Sequence, residues 1–194
     1  MKRVIRIAGG VGAGKSQVLS ILEKDYGAKV ILADLVAKRL MEPGQPAFLQ
    51  VVRTLGEGIL DESGAIDREK MAGVIFADEN ALAAVNGITH PLTWRAITDE
   101  VNASGPLVVV EAAVMDSHEP DIFDERWFVF ASRETRIRRL MENRGYSREK
   151  SLAIMERQLP PEEFRRRCQV VIDNDGSLEN TRAQIKAVLE KEGF

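Results

Sequence analysis

Gly9-Gly10-Val11-Gly12-Ala13-Gly14-Lys15-Ser16 is the stretch on which the fold turns. It spells G-x-x-x-x-G-K-[ST] in full, and its surroundings fit the spelling. Before it, Val4-Ile5-Arg6-Ile7-Ala8 is a short β-branched run that reads as a strand. After it, Val18, Ile21 and Leu22 recur at helical spacing from Lys15 to about Asp25, and Gly27 suits a C-terminal cap. Strand, glycine loop and helix in that order make a phosphate-binding P-loop. Backbone N–H groups must curl round phosphate oxygens, which demands residues without a Cβ. The helix then aims its positive end at the same anion. Lys15 is expected to reach the β- and γ-phosphates, and the Ser16 hydroxyl to ligate magnesium. The reading is a protein that binds a nucleoside triphosphate.

Working outward, strands and helices alternate. Val30-Ile31-Leu32-Ala33 reads as the second strand, with Asp34 as the N-cap of a helix that Pro43-Gly44 ends. Leu107-Val108-Val109-Val110 and Trp127-Phe128-Val129-Phe130 are unbroken apolar runs, as expected of strands covered on both faces. Val170-Val171-Ile172 is the fifth strand, and a closing helix runs from Leu178 to about Glu192. Five strands separated by helices argue for a parallel, doubly wound sheet. Two helical stretches interrupt it. One, after strand two, holds helices over Asp67 to Ala77 and Glu79 to Val101, the second broken near His90-Pro91. The other, Arg133 to Arg167, is dense in arginine. Ligand specificity commonly sits on such segments outside a sheet.

Composition sets the outer bounds. The chain has 194 residues, 44% hydrophobic and 29% charged, which is globular and excludes a disordered or fibrous class. Lys+Arg is 27 against Asp+Glu 30, a net charge of -3, so the overall field does not favour nucleic acid. Cys168 is the single cysteine, which excludes an internal disulfide framework. No apolar run reaches membrane-spanning length. A cytoplasmic protein that binds neither nucleic acid nor membrane is expected.

Residues beyond the loop narrow the use made of the triphosphate. Ile172-Asp173-Asn174-Asp175 is not the Asn-Lys-x-Asp guanine motif of a GTPase. Val108-Val109-Val110-Glu111 resembles the apolar-run-plus-aspartate of motor ATPases, with glutamate in its place. A small-molecule kinase needs a carboxylate near the acceptor hydroxyl and arginines that close on the moving phosphoryl. Asp34, at the carboxyl end of strand two, supplies the first. Glu111 and Asp116, after strand three, are further candidates for substrate or water-mediated magnesium contact. In the arginine stretch, glutamates interleave with the arginines, so most of it reads as a solvated, salt-bridged face. Arg144 stands apart because Gly145 comes next at a helix end, where a hinge can swing it onto phosphate. The alternatives at this level are a nucleotide-dependent switch and a kinase for another small hydroxyl acceptor.

Taken in order along the chain, the residues resemble the dephospho-coenzyme A kinase family. The P-loop is followed by Ala33-Asp34-Leu35-Val36-Ala37, Glu42-Pro43-Gly44, Gly64-Ala65-Ile66-Asp67-Arg68, Ile75-Phe76 and Asn86-Gly87-Ile88-Thr89-His90-Pro91. Arg139-Leu140-Met141-Glu142-Asn143-Arg144-Gly145, Gln158 and Ile172-Asp173-Asn174 complete the series. The resemblance implies transfer of the ATP γ-phosphoryl to the ribose 3′-hydroxyl of dephospho-coenzyme A, with Mg²⁺. It implies a P-loop NTPase-type three-layer α/β/α domain over residues 1–194, with a helical substrate-binding insertion at 35–105 and a lid at 140–167. It assigns ATP to Gly9 through Gln17 and to Asn174, the acceptor to Asp34, Lys38, His90, Pro91 and Asp116, and catalysis to Asp34, Lys15 and Arg144. The chain departs from the family pattern at Leu32, where an aspartate is common, at Lys38, where Arg or His is common, and at Ile154, where an arginine is usual.

Overall fold

The structure, a computed structural model, describes residues 2–112 and 118–191. Five strands form one sheet: β1 (Arg3–Ala8), β2 (Lys29–Leu32), β3 (Leu107–Glu111), β4 (Glu125–Phe130) and β5 (Val170–Asp173). Their order is β2-β3-β1-β4-β5. β1 pairs in parallel with β3 and with β4, and β4 pairs in parallel with β5. The central strand β1 is buried along its whole length, and Val108 to Val110 of β3 are fully buried. Such strands have no solvated face, so the apolar runs need not alternate with polar residues. Helices flank the sheet. α1 (Lys15–Tyr26) packs on α9 (Leu178–Lys191), and α8 (Pro161–Arg167) packs on β4 with Phe164 stacked on Phe128 at 4.9 Å.

The chain divides into two compact units, the first built on the sheet and the second on Leu32–Ala103 with the stretch that holds His118. The second unit contains α2 (Ala33–Leu40), α3 (Pro46–Leu55), a short 3-10 turn (Glu57–Ile59), α4 (Arg68–Ala77) and α5 (Glu79–Ala103). Its core gathers Val51, Ile59 and Val85, with Leu55, Met71 and Ile75 packed round them. Asp67 begins α4 as an N-cap, its carboxylate accepting the N–H groups of Glu69 and Lys70 at 2.9 and 3.0 Å.

Two local expectations are corrected. Asp34 does not cap a helix: β2 runs directly into α2, Leu32 is the cap position without a side-chain bond, and Asp34 lies in the first turn. Its carboxylate is compatible with the helix's positive end and is exposed to solvent. Nor does the chain break at His90-Pro91, because α5 continues through Pro91 for 25 residues. Proline removes the N–H that would donate to the Gly87 carbonyl, yet buried residues lie on both sides of it. Ala81 and Val85 precede it, and Trp94, Ile97 and Val101 come after. That packing outweighs one lost hydrogen bond.

Pro91→Ala is therefore expected to raise stability to urea by about 1 kcal/mol or more, since a continuous helix regains a donor. A lower midpoint would mean that the helix depends on the proline at this place.

Candidate active site

The sheet order places the site. From β1 the chain travels through α1 to β2 on one side, and from β3 it travels to β4 on the other. β1 and β3 are neighbours, with Ile7 opposite Glu111, so their carboxyl ends flank the point where the winding reverses. Ligands of open α/β sheets bind at that crevice. The P-loop leaves β1 there and Glu111 ends β3. Lys15 Nζ donates to the Gly9 carbonyl at 2.9 Å and lies 3.4 Å from Glu111 Oε1, bridging the two strand ends.

An anion-binding loop must present N–H groups and turn its carbonyls elsewhere. In this loop the carbonyls of alternate residues are held by donors. Gly9 O accepts from Lys15. Val11 O accepts from Arg136 Nε at 2.8 Å. Ala13 O accepts from Arg139 Nη1 at 3.2 Å and from Asn174 Nδ2 at 2.9 Å. Gly14 O begins the helical ladder by accepting from the Gln17 N–H at 3.0 Å. The N–H groups of Gly12, Gly14, Lys15 and Ser16 donate to nothing among the described residues. Gly14, Lys15 and Ser16 are the cap and first residues of α1, whose first amides have no partner inside the helix. A phosphate oxygen is the ligand that this arrangement fits.

Two elements hold the carbonyls in place. α6 (Arg133–Arg144) carries Arg136 and Arg139, one turn apart, on the side of the helix that also buries Ile137 and Leu140. Its start is fixed by Ser132, whose N–H and hydroxyl both donate to Asp175 Oδ1 at 3.0 Å. Burial alone would raise the Asp175 carboxyl, but hydrogen bonds from Thr135 and Ser132 and the charge of Arg139 bring it below its usual value. Burial lowers the Arg136 guanidinium from its ordinary value without threatening its charge at neutral pH. On the opposite side, Asn174 comes directly after β5 and is 1% exposed. Its Oδ1 accepts from the Thr181 hydroxyl of α9 at 2.8 Å, and its backbone carbonyl accepts from Arg139 Nη2 at 2.8 Å. Both ends of the Asn174 amide are thus spent on protein. At Gly14, with φ 87°, a Cβ would stand 2.2 Å from Asn174 Nδ2, so the close approach and the left-handed backbone both require glycine.

The other predicted residues take no part in these hydrogen bonds. Arg144 is the last residue of α6, exposed, with Gly145 capping the helix in the left-handed region. In the second unit, Asp34 and Lys38 are exposed on α2. The Asp34 carboxylate has no hydrogen-bond or ionic partner among the described residues. Pro91 is exposed and His90 is half-buried, its ring edge-on to His118 with centroids 5.9 Å apart. Asp116 lies outside the described residues.

The dephospho-CoA kinase family model matches residues 3–180. The chain belongs to the dephospho-CoA kinase family. It is 37% identical to the dephospho-CoA kinase of Carboxydothermus hydrogenoformans over 97% of this chain and 93% of that one. It is 40% identical to that of Geobacter sulfurreducens over 97% and 98%. A crystal structure of a Thermus thermophilus protein superposes with a TM-score of 0.81 at 33% identity, covering 98% of this chain and 97% of that one. Membership of the dephospho-CoA kinase family makes the chain a phosphotransferase with a hydroxyl acceptor.

Arg136 and Arg139 are residues of this family member that sequence reasoning passed over, absorbing them into a solvated arginine face. The signal was their phase: each adjoins the buried Ile137 and Leu140 stripe, which faces inward. Gly14→Ala is expected to lower Mg·ATP affinity by about tenfold or more and to destabilise the fold, because the buried Asn174 cannot yield. Gly27→Ala carries the same kind of backbone strain (φ 67°) with nothing within 4 Å. It is expected to cost about 1 kcal/mol and leave ATP affinity alone. Calorimetric ATP titration beside thermal melts separates the two, and equal ATP affinities would contradict the clash.

Proposed function

We propose that this chain transfers the γ-phosphoryl group of ATP to the ribose 3′-hydroxyl of dephospho-coenzyme A, giving coenzyme A and ADP. The observation that carries the reading is the loop itself: unpartnered N–H groups at Gly12, Gly14, Lys15 and Ser16 among the described residues, in a chain of this kinase family. Gly9 to Gln17 hold the triphosphate. Asn174 acts from behind the loop, through the Ala13 carbonyl, rather than on the nucleotide.

The acceptor oxygen attacks the γ-phosphorus in line with the departing β–γ bridging oxygen. One P–O bond forms and one breaks, and ADP leaves with the negative charge. Asp34 takes the proton of the attacking hydroxyl, a task suited to an exposed carboxylate with no partner among the described residues. Lys15 exchanges the Gly9 carbonyl for the β- and γ-phosphate oxygens, and Glu111 limits its travel. Arg144, beyond whose helix Gly145 allows a swing, meets charge on the moving phosphoryl. Lys38, His90, Pro91 and Asp116 belong to recognition of the acceptor, on the helical insertion 35–105 and after strand three. The segment 140–167 serves as the lid.

The donor set fits a hard divalent cation. The Ser16 hydroxyl is exposed and has no partner among the described residues, and Glu111 offers a nearby carboxylate at the strand end. Both are oxygen ligands of the kind magnesium takes beside phosphate and water. Ser16 would hold Mg²⁺ directly and Glu111 through water; bound there, the ion supplies charge neutralisation on the β- and γ-oxygens. Both substrates are small, charged and water-soluble, which suits a cytoplasmic enzyme. No helix among the described residues is long and apolar enough to cross a membrane.

Incubation with Mg·ATP and dephospho-coenzyme A, with detection by mass spectrometry, should give coenzyme A. ADP should appear only when the acceptor is present. ADP released equally without acceptor, and no coenzyme A, would contradict the proposal. Asp34→Asn is expected to leave ATP affinity nearly unchanged while kcat falls by about 10²–10⁴. Equal turnover would remove Asp34 from the chemistry. For Arg144→Ala the loss should lie in kcat, by about 10³ or more; a change confined to KM would make it a binding residue.

A further inference from the structure

Gln158 lies between α7 (Arg148–Glu156) and α8 and is half-buried. Its Oε1 accepts the Val11 N–H at 3.0 Å and Arg136 Nη2 at 2.7 Å, while Arg136 Nε donates to the Val11 carbonyl at 2.8 Å. Both polar groups of one P-loop residue are thus taken by a pair of side chains that also bond to each other. The approach is close: a Cβ on Gly10 would stand 2.3 Å from Arg136 Nη2. We infer that Arg136 and Gln158 are positioning residues that form a latch on Val11, setting the loop's shape for the triphosphate and tying the end of α7 to it. The inference rests on the reading of the P-loop as the ATP site.

The chemistry of the pair suits this task. A guanidinium is a planar fork, so its Nε and Nη2 fix the relative places of the Val11 carbonyl and the Gln158 oxygen. A half-buried cation is costly without acceptors, so Arg136 has a strong preference for the geometry that keeps both. Gln158 is an acceptor without charge. A glutamate there would bind Arg136 more strongly but would set a carboxylate beside the bound triphosphate. Removing the Gln158 oxygen frees the Val11 N–H to turn, and leaves Arg136 without one of its acceptors.

The latch also explains how α7 is fastened. At its start, Arg148 binds Glu134 of α6 through two 3.0 Å bonds. At its far end, the chain reaches Gln158 and the loop. Gly145, in the left-handed region, lies just before α7 and Pro160-Pro161 just after it. A change in the loop on seating ATP is therefore felt at the end of the segment assigned as the lid.

The test is a double-mutant cycle in the full-length protein with Arg136→Met, Gln158→Leu and the pair together. Calorimetry gives Kd for Mg·ATP, steady-state kinetics at saturating ATP give KM for dephospho-coenzyme A, and thermal melts report stability. Each single change is expected to raise the ATP Kd about tenfold. The double variant should be no worse than about its poorer parent, because both changes open the same latch. KM for the acceptor should stay within about twofold. Lowered melting temperatures with an unchanged ATP Kd would overturn the inference, as would single effects that multiply in the double variant. If Arg136→Met does not fold, the split between ATP Kd and acceptor KM in Gln158→Leu decides by itself. An unaltered protein that binds no Mg·ATP would bring down the ATP-site reading itself, separately from the latch.

Discussion

A loop that binds phosphate through its backbone must keep its carbonyl oxygens away from the anion. Every peptide carries both a donor and an acceptor, and a carbonyl turned inward would repel the charge that the neighbouring N–H attracts. In this protein side chains solve the problem, three of them from outside the loop. Lys15 holds Gly9 O, Arg136 holds Val11 O, and Arg139 and Asn174 share Ala13 O. The amides at Gly12, Gly14, Lys15 and Ser16 are left without a partner among the described residues. Much of the surrounding structure serves that arrangement. Asp175 fixes the start of α6, which carries the two arginines, and Thr181 of α9 fixes the Asn174 amide.

The same constraint accounts for the choice of strands. β1 must be central and dry, since the loop at its end has to stand at the point where the winding of the sheet reverses. β3 beside it delivers Glu111 to the same edge, where it pairs with Lys15. β4 is bonded to β1 on the other side and leads into α6; β5, beyond it, ends next to Asn174. Chain order and sheet order are different, and that difference brings α6, Asn174 and the P-loop together although they are far apart in sequence.

Much of this was legible in the sequence. The motif Gly9 to Ser16 carried its own context, because the strand before and the helix after are local features with strong periodicity. The apolar runs of β3, β4 and β5 were readable for the same reason. Asp34 and Pro91 were misread at the level of single residues. Aspartate after a strand looks like a cap and proline looks like a break, but α2 starts directly from β2 with Asp34 in its first turn, and buried residues on both sides carry α5 through Pro91. Arg136 and Arg139 were harder. Composition marks an arginine-rich helix as solvated, whereas the structure turns these two toward backbone carbonyls. Only the phase of Ile137 and Leu140 distinguishes them from their exposed neighbours, and the partners they meet are set by long-range contacts that no local pattern contains.

Residue-resolved amide hydrogen exchange tests the central claim most directly. In the free protein, the amides of Val11, bound to Gln158, and Ala13, bound to the Gly10 carbonyl, should exchange slowly. Those of Gly12, Gly14, Lys15 and Ser16 should exchange quickly and become protected when Mg·ATP is added. If those four amides are already protected without nucleotide, or show no change with it, the loop is not an open phosphate cradle.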